Sequence, residues 1–550
     1  MHYRKDILIF LGIWIILYLV TLNNLIFPDF DWFNYRFYNC WAFLNDRMQT
    51  DFFASNFRTC FNPLLDLPEY FLMFKLNNYP YLFLFVTLFD NTLLLYLVYK
   101  ISQIIFKGRY LCVYSLLYVA VSPVLLLETN FAANDVKVAI LCLLSLYLLL
   151  KSRLIVEKRN FLLAGILLGI SLGLKLTSIV YVVTFYIILA LFHKKFDSFK
   201  TSLMLFTLGL FLAYLFTGGI WMMKCFWVYH NPVFPYFNNI FKSNFADNIM
   251  LLNTDFSHLK ARNIVEFIFY PFYQSVGNRF FGTEKMAWDL RYAMNFISVI
   301  GIFSLMFFNK FKVEKVANKE LYFVIVLMTI IPYYLNLFVF GSYRYIIPSS
   351  CLFGIVIVGL IFTILKERFA FVFSLILLVS VYCFCNYGQL DRVFEYNKIY
   401  NKNISPITLD FKKIIKSQDL GFEDGSFVIL LNARSSASVV GQNKNVKYLG
   451  FSYPEDLMKK YENLIEASDP FLNVKVLKSK YLENEIQNIL SGKNKVYALY
   501  ASTKYPEFLK KGLMYLDKDG KRTFKNCKWG QMQIYDSFFW SSNVIVCEFN

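Results

Sequence analysis

The chain has 550 residues, of which 57% are hydrophobic, 20% aromatic and 17% charged, with a formal net charge of +18. Globular domains carry roughly 25% charged residues, so this composition excludes an ordinary water-soluble protein. The positive charge does not point to nucleic acid. Much of the excess Lys and Arg falls in short loops between apolar runs, where it sets membrane orientation and attracts anionic lipid headgroups.

A short basic start precedes an apolar run over residues 6–27, with no small-residue cleavage site behind it. This predicts an uncleaved first span with its N-terminus inside the cell. The stretch 27–70 is then an outer loop. It holds six carboxylates (Asp29, Asp31, Asp46, Asp51, Asp66 and Glu69) and three arginines (Arg36, Arg47 and Arg58). No other stretch in the first quarter of the chain is so densely charged. A functional loop and a solvated loop with an aromatic belt at headgroup level are the two readings of it.

Further apolar runs predict spans over 81–106, 110–127 and 136–150. The run 161–192 is too long for one span and predicts a tight hairpin with Lys175 near its outer apex. Spans over 201–216, 292–308, 321–340, 346–365 and 369–386 follow, with one long outer segment at 217–291. Basic clusters in the short loops fall on the inner side each time, which gives about eleven spans and places the C-terminal part outside. Gly165, Gly169 and Gly173 repeat at the spacing that lets membrane helices approach closely.

The composition changes near residue 390. SFVILLNA from Ser426 and KVYALYAS from Lys495 read as buried strands, and PEDLMKKYENLIEA from Pro454 as a helix with proline in its first turn. The expected organisation is a transmembrane domain over 1–389 and a soluble extracytoplasmic α/β domain over 390–550. Neither a P-loop nor a GxGxxG motif is present.

The ten cysteines include no CxxC, and His2, His193, His230 and His258 form no ligand pattern, so a His-based metal site is not expected. Cys40 with Cys60, and Cys527 with Cys547, fall in segments read as external, and either pair is a candidate disulfide.

Residues suited to catalysis map to the outer side: Asp29, Asp31, Glu128, Asn134, Asp135, Lys175, Trp221, Lys224, Trp288, Asp289, Arg291 and Arg344. Any one of them reads equally well as a snorkelling or salt-bridged side chain. Together they suggest a site with balanced charge, because ionisable groups near membrane depth are costly to hold.

The segments DWFNYRFYNCWAFLNDR, FNPLLDLPEY, NFAANDVKVAILCLLSLYLL, GISLGLKLTS and GGIWMMKCFWVYHNPVFPYFNNIFKS occur in that order. Over about residues 29–344 this series resembles a bacterial branch of the GT-C class of integral-membrane glycosyltransferases. FNPLLDLP and NPVFPYFN are its more specific elements, and the C-terminal part lies outside the resemblance. The likeness implies a polytopic enzyme of the bacterial plasma (inner) membrane. Its donor would be a polyprenyl-phosphate-linked sugar and its acceptor a glycan or a lipid-linked molecule, in cell-surface glycan assembly or modification. The catalytic acid carries over to Asp31, with Asp29 as second choice. Many class members have paired acids here, whereas Trp32 follows Asp31 in this chain. That departure leaves use of a divalent cation, Mg or Mn, open, and no other cofactor is implied.

Transfer from such a donor needs a base for the acceptor hydroxyl, which Asp31 supplies, and inverts the anomeric centre if attack is direct. The departing lipid phosphate needs cations placed in advance. Lys175, Arg291 and Arg344 are the candidates, with Asp135 holding a cation or orienting the acceptor and Trp288 stacking on a sugar face. The competing class is a lipid-linked glycan flippase or transporter. Such a protein is expected to carry broken helices and polar groups near the bilayer midplane.

Overall fold

The computed structural model describes residues 2–22, 31–76, 79–128, 134–154, 157–193, 199–246, 261–276, 288–308, 316–385, 420–431, 435–451, 480–502, 524–533 and 541–549. Asp29 and the helix expected from Pro454 lie outside the described residues. Contacts divide the chain into two compact units.

The first unit comprises Met1–Asn24, Leu84–Ile220 and Phe256–Asn397. Its described residues are almost entirely helical. Among the described residues of the whole chain, five helices are long and apolar enough to cross a membrane: Tyr81–Ile105, Phe199–Tyr229, Lys319–Val339, Arg344–Ile364 and Glu367–Phe384. Shorter apolar helices run over Asp6–Thr21, Arg109–Ala120, Leu176–Leu191 and Arg291–Phe307. Leu8, Phe211, Phe307 and Phe369 are exposed on these helices, as expected where the surrounding solvent is hydrocarbon. The chain is thus a polytopic helical membrane protein.

Two expected spans differ in detail. The span over 110–127 breaks into Arg109–Ala120 and Pro123–Glu128. Pro123 has no N–H to continue the first helix, but its fixed φ suits the start of a new one. The span over 201–216 does not end there. Phe199–Tyr214 continues through a π-helical turn, Leu215–Gly219, into Ile220–Tyr229.

The glycine repeat has a clear partner. A Cβ at Gly165 would lie 2.0 Å from the Phe206 carbonyl oxygen, and one at Gly169 would lie 2.3 Å from that of Leu210. From the facing helix, a Cβ at Gly209 would lie 2.4 Å from the Leu162 carbonyl oxygen. The helices Lys158–Leu174 and Phe199–Tyr214 therefore meet backbone to backbone, the geometry that small residues permit.

The second unit comprises Leu25–Phe83, Trp221–Asp255 and Lys398–Asn550. Its strands are β1 (Ala54–Phe57), β2 (Phe427–Leu430), β3 (Lys447–Gly450), β4 (Val496–Ser502), β5 (Phe524–Gln533) and β6 (Ser541–Phe549). The last five form one sheet in the order β3-β2-β4-β6-β5. β2 runs parallel to both β3 and β4, while β6 is antiparallel to β4 and β5. The two strands expected from sequence are β2 and β4, and they are neighbours.

Residues 31–70 are not a solvated loop. A π-helical turn, Trp32–Arg36, leads into the helix Phe37–Leu44, and Trp32, Tyr38 and Phe53 are buried. Phe52 extends the sheet at its β3 edge. Its N–H donates to the Tyr448 carbonyl at 2.9 Å, and its carbonyl accepts from the Gly450 N–H at 2.8 Å. One apolar core joins the three chain segments: Phe53 and Cys60 from the first, Tyr229 and Phe234 from the second, and Ile429, Ile486 and Val496 from the third. Burying apolar area from distant segments together is what holds the unit as one body.

Cys40 and Cys60 are free thiols. Cys547 is disulfide-bonded, and the β5–β6 register sets Cys527 in the irregular stretch across from it.

Candidate functional site

The charged residues of interest form one cluster in each unit. In the second unit, Asp31 immediately precedes the π-helical turn, whose i+5 bond runs from the Phe37 N–H to the Trp32 carbonyl. The wider turn brings residues five apart towards one side, where an α-helix would pair residues three or four apart. The Arg36 guanidinium accordingly lies 3.6 Å from the Asp31 carboxylate and 3.9 Å from that of Asp66. All three side chains are buried, and Asp31 is 8% exposed.

The FNPLLDLP motif explains how Asp66 gets there. The Asn62 side chain accepts from the Leu64 N–H at 3.1 Å and Pro63 opens the short 3₁₀ turn Pro63–Leu65, which delivers Asp66 to Arg36. The Trp32 indole N–H points to Met73 Sδ at 3.1 Å, fixing the other side of the turn. Burial pushes the Tyr35 phenol above its ordinary range, reinforced by the nearby Asp31 charge. That phenol stays protonated.

In the first unit, Lys175 sits in extended conformation between the helix Lys158–Leu174 and the 3₁₀ turn Leu176–Ser178. Its ammonium lies 2.6 Å from Asp135 Oδ1 and 5.2 Å from the Tyr345 ring centroid. The Tyr181 hydroxyl donates to the Tyr345 carbonyl at 2.9 Å. Arg344 precedes Tyr345 and is half-buried. Gly341, at a φ of 78°, permits the sharp reversal that brings this turn straight after the helix Lys319–Val339. Hairpin apex, Asp135 and Tyr345 thus meet, with Arg344 one residue before Tyr345 in the same turn.

Arg291 is used differently. It is fully buried, and its guanidinium binds Asp289 at 2.6 and 2.8 Å, the Tyr118 carbonyl at 3.1 Å and the Ser122 hydroxyl at 2.5 Å. The Tyr343 hydroxyl also donates to Asp289, at 2.9 Å. This network occupies four of the five guanidinium N–H donors of Arg291. It anchors the start of the helix Arg291–Phe307 and, through Tyr343, the turn that carries Arg344. Trp288 is 43% exposed.

Sequence reasoning singled out Asp31, Asp135, Lys175 and Arg344, but it missed Arg36 as the partner of Asp31 and Asp66 as the second carboxylate beside Arg36. Their signal was present as charge inside an aromatic loop and inside FNPLLDLP. Among the described residues, no group of three or more His, Cys, Asp or Glu side chains is arranged to hold a metal ion.

No family model matches the chain, and no curated protein matches it either. Among solved structures, it is similar to the crystal structure of ArnT from Cupriavidus metallidurans in the apo state. That likeness has a TM-score of 0.40 and 11% identity, over 99% of this chain and 98% of that one. At such a level it carries no argument about chemistry. The case for function rests on the side chains.

Proposed function

We propose that this protein is an integral-membrane glycosyltransferase of the GT-C kind. It moves a sugar from a polyprenyl-phosphate carrier to a hydroxyl of a glycan or lipid-linked acceptor at the outer face of the bacterial plasma membrane. The observation that carries the reading is the meeting of Lys175 with Asp135 and the 343–345 turn that holds Arg344. Two cations in fixed, partly exposed positions suit a lipid phosphate whose charge grows as its bond to the sugar breaks.

In this account the acceptor oxygen attacks the anomeric carbon while Asp31 takes its proton, with Asp29 as the alternative base. The carbon–oxygen bond to the phosphate breaks, and the departing oxyanion is held by Lys175 as a point charge and by Arg344 as a fork. Direct displacement inverts the anomeric centre. Asp135 aims the Lys175 ammonium, Arg291 serves as scaffold, and the exposed Trp288 ring stacks on sugar.

About eleven crossings with the N-terminus inside put residues 390–550 outside the cell. The disulfide at Cys547 supports this, since such bonds persist in oxidising compartments. The test is mass spectrometry of surface glycans and lipid-linked intermediates in a deletion strain, complemented with the parent or with Asp31→Asn. An enzyme leaves unused lipid-linked sugar and a glycan lacking that sugar in the Asp31→Asn strain. A flippase would leave the outer-face pool of lipid-linked sugar empty instead.

A further inference from the structure

In the small sheet, the chain passes from β2 to β3 on one side and then crosses to β4 on the other. In open α/β sheets, ligands bind outside the carboxyl ends of the strands where the strand order reverses in this way. Here the reversal lies between β2 and β4, and the chain's own residues 31–36 approach that position. The short helix Ser435–Ser438 follows β2 and is buried throughout. The Ser435 hydroxyl donates to the Leu499 carbonyl of β4 at 3.2 Å. The Ser436 hydroxyl donates to the Asn34 carbonyl at 3.1 Å. Asn34 is the middle residue of the π-helical turn Trp32–Arg36, which begins directly after Asp31.

Two further ties fix the same stretch to the same sheet. Arg47 and Asp51 form a two-point ion pair at 2.5 and 2.9 Å. The Arg47 guanidinium lies against the Trp41 and Tyr448 rings and donates to the Lys444 and Val446 carbonyls. Asp51 accepts in turn from the Tyr448 N–H at 3.0 Å. Beside it, Phe52 adds to the β3 edge. The sheet therefore grips residues 31–52 at the π turn, at the Arg47–Asp51 pair and at Phe52.

We propose that the C-terminal sheet serves to position Asp31, and that Ser436 is the positioning residue that does so through the Asn34 carbonyl. π-helical turns are rare and recur at functional sites. An outside donor on one of the turn's carbonyls holds the wider winding that sets Arg36 beside Asp31. The proposal rests on the glycosyltransferase reading for Asp31's role, while the docking itself is readable without turnover.

The experiment uses the full-length protein in detergent or nanodiscs, as parent, Ser436→Ala, Ser436→Thr and Asp31→Asn. Amide hydrogen exchange over residues 32–37 is followed beside steady-state transfer. Ser436→Ala is expected to speed exchange there by roughly 5-fold, the equivalent of one net hydrogen bond. It should lower kcat while leaving the donor KM in place, and Ser436→Thr, which keeps the hydroxyl, should restore both. Unchanged exchange, or faster exchange with unchanged kcat, overturns the proposal. Full transfer by Asp31→Asn beside fast exchange in Ser436→Ala would instead overturn the role of Asp31 while leaving the docking in place. Should Ser436→Ala fail to accumulate, Ser436→Cys, a near-isosteric weak donor, is expected to show the same kcat loss, and parental kcat in it counts against the proposal.

Discussion

Lys175 Nζ lies 2.6 Å from Asp135 Oδ1, tying the apex of a helical hairpin to the first turn of the helix Asn134–Leu154. The carboxylate is almost completely buried and the ammonium about one-fifth exposed. The pair therefore has one face open to a ligand. Lys175→Ala and Arg344→Ala should each lower kcat/KM for the donor by about tenfold or more, the scale of one charge-assisted bond. Arg344→Lys should recover only part, because the fork is lost. Arg291→Ala should behave differently, failing to give a monodisperse protein, since it leaves Asp289 buried without its partner at a cost of about 3–5 kcal/mol. Gel filtration and donor kinetics on the four variants separate these roles.

The Arg47–Asp51 pair should dominate the stability of the second unit. Both side chains are buried, and the hydroxyl of Tyr38 also donates to Asp51, at 2.5 Å. Truncating either partner should cost about 3–5 kcal/mol, and the double truncation much less than the sum. A double-mutant cycle followed by denaturant unfolding checks this.

Asp424 gives a small acid sensitivity. Its carboxylate accepts from the Asn443 and Asn445 side chains at 2.7 and 3.0 Å, and these bonds hold it below the usual carboxylate range. A depressed value in the folded state means the contribution is present above the ordinary carboxylate range and is lost as pH falls through the depressed value. Asp424→Asn should therefore flatten the acid limb of the stability profile while leaving neutral-pH activity as it was. Thermal melts from neutral pH down to about pH 3, through the ordinary carboxylate range, read the difference.

Orientation is tested by reporter fusions. A fusion at Asn318 should report the cytoplasm, because Lys310, Lys312, Lys315 and Lys319 crowd that loop. A fusion after Asn386 should report the outer compartment. A cytoplasmic signal there would put residues 390–550 on the wrong side for the chemistry proposed.

What the sequence made legible follows from how local each signal is. The expected span 81–106 and the helix Pro80–Ile105 agree because an unbroken apolar run needs no distant partner to be recognised. KVYALYAS is β4 for the same reason. The π-helical turns at Trp32–Arg36 and Leu215–Gly219 escaped, since they insert a residue into an ordinary helical pattern without changing its composition. The sharing of one core by Phe53, Tyr229 and Ile486 escaped too, because nothing in any of the three segments names its partners. Arg36 with Asp66 is a pairing across thirty positions of chain, and only the turn built by Asn62 and Pro63 makes it.

The measurement that bears most directly on the central claim is transfer by purified Asp31→Asn with a polyprenyl-phosphate-linked sugar donor. The substitution keeps size and most hydrogen bonding and removes the proton acceptor. General-base catalysis contributes about 10²–10⁴-fold, so transfer should fall by that order while donor binding persists. Asp29→Asn should cost less. Near-parental transfer by Asp31→Asn with loss in Asp29→Asn would move the base two residues upstream, and near-parental transfer by both would contradict the account.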